Sequence, residues 1–219
     1  MSTRRPARGA SSTFAQTSER GGPLATTAVF AEILIVGLEV EAWLALVLLS
    51  VFGTEWIDLG SVKDFATLVT FVVLALAYVL GIIVDRLADT LLNYFEDTSL
   101  GDSIKGALSK NTPPPKEPGL AKMRMTVMEA SDGLTRFLDY QRSRWRIARA
   151  TVLNLVIAGP AAALYLGVGT NVDRAWELVP LACALVLVPI TYFAGVRIQD
   201  AWVARLVDAY TIVGATPQK

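Results

Sequence analysis

The chain has 219 residues, 53% hydrophobic and 18% charged, with zero net formal charge and a mean hydropathy of +0.46. Soluble domains run about 45–50% apolar and about 25% charged, so this balance points to a membrane protein. There is no histidine and one cysteine, which excludes Ser-His triads, imidazole bases, His-ligated metals and an intrachain disulfide.

Residues 1–24 (MSTRRPARGASSTFAQTSERGGPL) are rich in Ser, Thr, Arg and Gly and are predicted to be a disordered tail. No short apolar run with a cleavage site follows Arg4-Arg5, which argues against an export signal. The tail's Arg-rich, acid-poor composition also suits a mitochondrial presequence, but a first span that is its own insertion signal is the simpler reading. That first apolar stretch, 31–52, is 22 residues long, enough for a transmembrane helix. It carries Glu39 and Glu41 near its middle, where an ionised side chain costs roughly 2.5–3.5 kcal/mol to insert. The second span, 65–84, is free of charge.

Val84, Leu87, Leu91 and Phe95 then recur at helical spacing, predicting that the second helix runs on to about Phe95 or beyond. TPPPKEPG, residues 112–119, breaks any helix. Another helix is expected from near Leu120, with Val127, Ala130, Leu134, Phe137, Leu138 and Gln141 on one face, running straight into the third span at 150–168. Gly159-Pro160 predicts a kink there, and Pro189 a bend in the fourth span, 176–196; Pro180 falls near that span's first turn. Residues 197–219 continue as an amphipathic tail through Ile198, Trp202, Leu206 and Tyr210. The predicted fold is therefore all-α: a tail over 1–24, then a polytopic four-span domain over 25–219, with a helical hairpin (85–149) between spans two and three.

Orientation follows the positive charges. Eighteen of the twenty Lys and Arg residues lie in the two tails and the hairpin; Lys63 and Arg174 alone lie in the short loops. Both termini and the hairpin are accordingly predicted to be cytoplasmic, in a plasma or inner membrane. The loops are too short for a separate outer domain, and Trp56 and Trp176 sit where an interfacial aromatic belt belongs.

Two groups of residues are candidates for function. Asp85, Arg86 and Asp89 end the second span, and Arg142, Arg144, Arg146 and Arg149 precede the third, so both belong to one inner interface. The structural reading is an ion-paired collar in contact with anionic lipid; the functional one is recognition of a phosphate-bearing ligand. Asp85 and Asp89 alone supply too few oxygens for a divalent cation. The second group is Glu32, Glu39 and Glu41. At about 100° per residue Glu32 and Glu39 share a face and Glu41 points nearly opposite. With no Lys or Arg inside any span, these glutamates are protonated and hydrogen-bonded between helices, or line a water-filled path, or, if the first helix rides lower, meet the arginine cluster.

The leading functional reading is an oligomeric channel or pore-forming effector, closed by a homo-oligomer and governed by its cytoplasmic hairpin. A non-conducting scaffold that docks a cytoplasmic protein on the hairpin is the alternative. A membrane enzyme acting on lipid phosphates comes third, since DRLAD (85–89) has no second acidic motif to answer it. A secondary transporter is disfavoured, as the halves show no repeat. No cofactor, metal or nucleic acid is expected.

Overall fold

The computed structural model describes residues 22–55, 63–109, 119–169 and 173–215. Most of the N-terminal tail, Trp56 and most of the proline-rich segment lie outside them. The described residues form six helices and no strand: α1 (Gly22–Phe52), α2 (Ala66–Glu96), α3 (Ser99–Leu108), α4 (Leu120–Ala130), α5 (Asp132–Gly169) and α6 (Arg174–Ala215). Four of them, α1, α2, α5 and α6, contain stretches long and apolar enough to cross a membrane. The chain is thus an all-helical membrane protein.

Helix length separates span from extension. With 31, 38 and 42 residues, α2, α5 and α6 are about 46, 57 and 63 Å long at 1.5 Å per residue, against about 30 Å of hydrocarbon. Each is therefore longer than the hydrocarbon layer is thick, and the surplus is where the charges are. α1 starts at Gly22, earlier than the predicted tail allowed, with Pro23 in its first turn, where a missing N–H costs nothing. It ends at Gly53, whose φ of +72° terminates the helix in the left-handed conformation that glycine adopts freely.

Packing between the spans depends on small residues. Without a hydrophobic force between helices in lipid, close backbone approach and hydrogen bonds must hold them. Gly37 of α1 faces the backbone of Ala77, and Gly81 of α2 faces the backbone of Ile33, so the two helices run antiparallel in direct backbone contact. Val36, Val40, Val84, Ala88 and Ala150 fill the space where α1, α2 and α5 meet. α6 runs back along α5: a Cβ added at Gly159 would lie 2.5 Å from the Ala184 Cβ. Near the charged end Tyr192 of α6 meets Phe95 of α2 edge-on, with ring centroids 6.3 Å apart. Among the described residues the backbones of α6 and α1 make no contact. The spans form a three-helix cluster with a fourth helix leaning on it, and leave the outer flanks of α2 (Leu68, Phe71) and α6 (Leu185, Val186) exposed.

The charged end has its own core. Met123, Val127, Leu138, Leu206 and Ala209 pack α4 against α5 and the far half of α6. α6 continues unbroken through Pro180 and Pro189 to Ala215, so the amphipathic tail is a direct extension of the fourth span. Two features depart from the predicted hairpin. After α2 the chain makes a short extra helix, α3, begun by Thr98, whose hydroxyl accepts from the Gly101 N–H at 3.1 Å. Lys105–Glu96 and Ser109–Asp200 contacts tie α3 to α2 and α6. The helix from Leu120 does not run straight into the third span but breaks at Ser131, whose backbone is extended (φ −160°, ψ 116°). Ser131 starts α5 as its cap, and its carbonyl accepts from the Thr135 N–H and hydroxyl. Ser-Asp-Gly at 131–133 is a helix-start signal within an otherwise helical pattern.

Candidate functional site

Two polar layers cross the bundle. The deeper one joins α1 to α5. Asn154, 2% exposed, donates to the Glu39 carboxylate at 2.8 Å and to the Val36 carbonyl at 3.3 Å. Its own oxygen accepts from the Trp43 indole N–H at 3.3 Å. The Thr151 hydroxyl reaches both Glu39 oxygens at 3.2 Å. Glu39 is therefore satisfied by neutral donors of the neighbouring helix, the arrangement that makes a polar group tolerable in hydrocarbon.

This seam leads to an expected result. Asn154→Leu strips Glu39, Trp43 and the Val36 carbonyl of a partner at once. Interhelical hydrogen bonds in membranes average about 0.6 kcal/mol and reach about 1.7. A loss of about 2 kcal/mol in resistance to denaturing detergent is expected, whereas Glu39→Gln, which still accepts from both donors, should lose less than about 1 kcal/mol. Equal losses for the two variants would contradict the seam.

The second layer is the collar at the charged end. Asp85, 8% exposed, receives Arg146 as a fork, with Nε donating to Oδ1 at 3.2 Å and a terminal nitrogen to Oδ2. Arg149, 4% exposed, lies 3.6 Å from the Asp89 carboxylate, donates to Asn93 Oδ1 at 2.8 Å and stacks 4.7 Å from the centre of the Trp145 ring. Ser143 donates its hydroxyl to Glu32. Glu32 also shares a small cleft with Arg146 and Asp85. The aspartates that could have been paired for a divalent ion are each turned to an arginine instead. Asp85 and Arg146 lie about eight helical residues, about 12 Å, below the Glu39 seam.

The candidate residues thus divide. Glu32, Asp85, Asp89, Arg146 and Arg149 are brought together across three helices. Glu39 belongs to the separate seam. Glu41 is half-buried and has no hydrogen-bond or ion-pair partner among the described residues. Arg86, Arg142 and Arg144 are exposed, Arg144 lying over the Tyr140 ring at 5.8 Å.

Asn154, Thr151, Ser143 and Asn93 join these two polar layers, and neither charge nor hydropathy points to them. The signal was present: Asn154 and Thr151 are the polar exceptions within the third apolar run, and Asn93 continues the four-residue spacing of Asp85 and Asp89. Comparison with family models, curated proteins and solved structures gives no match to this chain.

Proposed function

We propose that the chain is one subunit of an oligomeric membrane channel or pore-forming effector, non-enzymatic, with its charged end in the cytoplasm as the gating or docking element. One observation carries this reading. Glu41 is a carboxylate deep in a span, and no side chain or backbone group among the described residues of its own protomer pairs with it. An ionisable group without a partner at the depth of the hydrocarbon is costly, and it calls for water or a neighbouring chain. Cyclic assembly of identical subunits would repeat Glu41 as an acidic ring, a common element of cation pathways. The open arrangement of the spans supports the same reading, since one copy encloses no path and leaves broad apolar flanks to be covered. Eighteen of twenty basic residues in the two tails and the segment between spans two and three support the orientation.

Glu39 takes a different role here from Glu41. Its oxygens are engaged by α5, so it contributes to the rigidity of the wall and not to its lining. Asp85 and Asp89 are likewise engaged by arginine, which leaves a phosphate-processing enzyme without its acid pair.

The test is cation flux through purified protein in liposomes. Glu41→Gln is expected to change flux or selectivity at least about tenfold, the size of a lost charged-ring contact of about 1.4 kcal/mol per ion, with the oligomer intact. Glu39→Gln should conduct like wild type. Flux unaffected by Glu41→Gln would remove the ring, and an assembled protein with no flux under any membrane potential would sink the channel. The scaffold remains the second reading, favoured by the exposed Met125, Met128 and Tyr140 at the charged end. It expects a soluble partner to co-purify and to be lost with Met125→Ser/Met128→Ser.

A further inference from the structure

A cleft of about 240 Å³ opens at the charged end between α4, α5 and α6. Its lining combines two guanidiniums, Arg124 and Arg142, with two indoles, Trp145 and Trp202, and with Leu120 and Gln199. We propose that this cleft binds a phosphate ester, held between Arg142 and Arg124 with its carbon part against the indoles.

The charges are poised for a ligand. Arg124 is bonded at 2.9 Å to Asp139, an exposed carboxylate, which positions it while leaving donors spare. Arg142, from the next element of the wall, has no hydrogen-bond or ion-pair partner among the described residues. A forked guanidinium without a carboxylate is matched by phosphate in both geometry and charge.

The aromatic walls are fixed in advance. Trp202 donates its indole N–H to the Leu138 carbonyl at 3.1 Å. Trp145 is held by the Arg149 guanidinium stacked on its ring, 4.7 Å away. Neither ring must order itself on binding, which lowers the entropic cost of capturing a ligand. The volume is below that of pockets for drug-sized ligands, about 300–1,000 Å³, and matches a phosphate with a few carbons.

Position suggests where such an ester comes from. Arg142 lies eight residues before the third apolar stretch and Gln199 three after the fourth, so the cleft sits about one to two helical turns outside the hydrocarbon, at headgroup depth. An anionic lipid headgroup and a small soluble phosphate ester share the chemistry. The inference stands on the four spans and the cleft alone, independent of whether the protein conducts.

The experiment is titration of the full-length protein in phosphatidylcholine nanodiscs, followed by melting temperature and by native mass spectrometry for retained ligand. The probes are phosphatidylglycerol, and separately glycerol 3-phosphate. Two variants accompany wild type: Arg142→Gln, which removes an exposed unpartnered charge, and Ala121→Trp, which fills the cleft from an exposed position of its rim. Saturable stabilisation by phosphatidylglycerol, weakened at least tenfold in both variants, is expected and would assign the lipid. The same pattern with glycerol 3-phosphate at comparable concentration would assign the soluble ester. Binding of either probe that is unchanged in both variants, or no saturable binding of either, overturns the site. A flux measurement on Arg142→Gln separates this outcome from the fate of the channel.

Discussion

Gly37→Leu is expected to leave little folded protein. A Cβ on Gly37 would fall on the carbonyl of Ala77, and both sides of that contact are backbone, so no side chain can swing away to admit it. α1 and α2 would have to separate, and separation also frees Gly81 from Ile33 and opens the cluster of Val36, Val40 and Val84. Overpacking typically costs 1–3 kcal/mol where side chains can yield; with backbone on both faces at least about 3 kcal/mol is expected. Membrane helices associate through such close contacts and not through water exclusion, so little else compensates. Gly106→Ala is the control. It lies in α3 with open space around it, and should gain up to about 1 kcal/mol from helix propensity. Thermal unfolding in a mild detergent, followed by size-exclusion profile, distinguishes the two; a Gly37→Leu protein that melts like wild type would refute the close contact.

The second large effect is expected at the pair of Arg149 and Asp89. Arg149→Met retains much of the volume and the stacking on Trp145 but removes the charge from beside Asp89 and the donor from Asn93. Removing one partner of an ion pair costs about 3–5 kcal/mol when the charge left behind is buried, and much less when water reaches it. The effect should be asymmetric. Asp89 is partly open to solvent (side chain 32% exposed, against 4% for Arg149), so Arg149→Met leaves a carboxylate that water reaches and should cost about 1 kcal/mol. Asp89→Asn, in contrast, leaves the buried guanidinium only the neutral Asn93 and backbone acceptors and should cost about 3 kcal/mol. In a double-mutant cycle Arg149→Met with Asp89→Asn should recover part of the loss. Raised salt should change little for Arg149, whose guanidinium is shielded from solvent, but should weaken the surface pair of Arg124 and Asp139. Equal costs for Arg149→Met and Asp89→Asn would show that the pair behaves as a surface bridge.

These residues show the limits of sequence reasoning for this molecule. Charge spacing placed Asp85, Asp89 and the arginines at one interface, and the helices bring Asp85 to Arg146 and Asp89 to Arg149. Spacing could not choose partners, because Arg142, Arg144, Arg146 and Arg149 all lie within two turns and only the rotation of α5 against α2 turns two of them inward. Periodicity carried α2 to the neighbourhood of Glu96, but the break at Ser131 was masked by apolar residues that keep helical spacing on both sides of it. The local cap overrode the pattern.

The four spans were settled by the sequence alone, since apolar length against bilayer thickness is a property of composition and needs no neighbours. So was the crowding of positive charge into the segments between and beyond them. The separate fates of Glu39 and Glu41 were decided only in the tertiary structure. Two carboxylates two residues apart are equivalent to any hydropathy scale. They become different because α5 sets Thr151 and Asn154 against one face of α1 and offers nothing to the other, and which face a helix presents depends on how Gly37 and Gly81 let its neighbour approach.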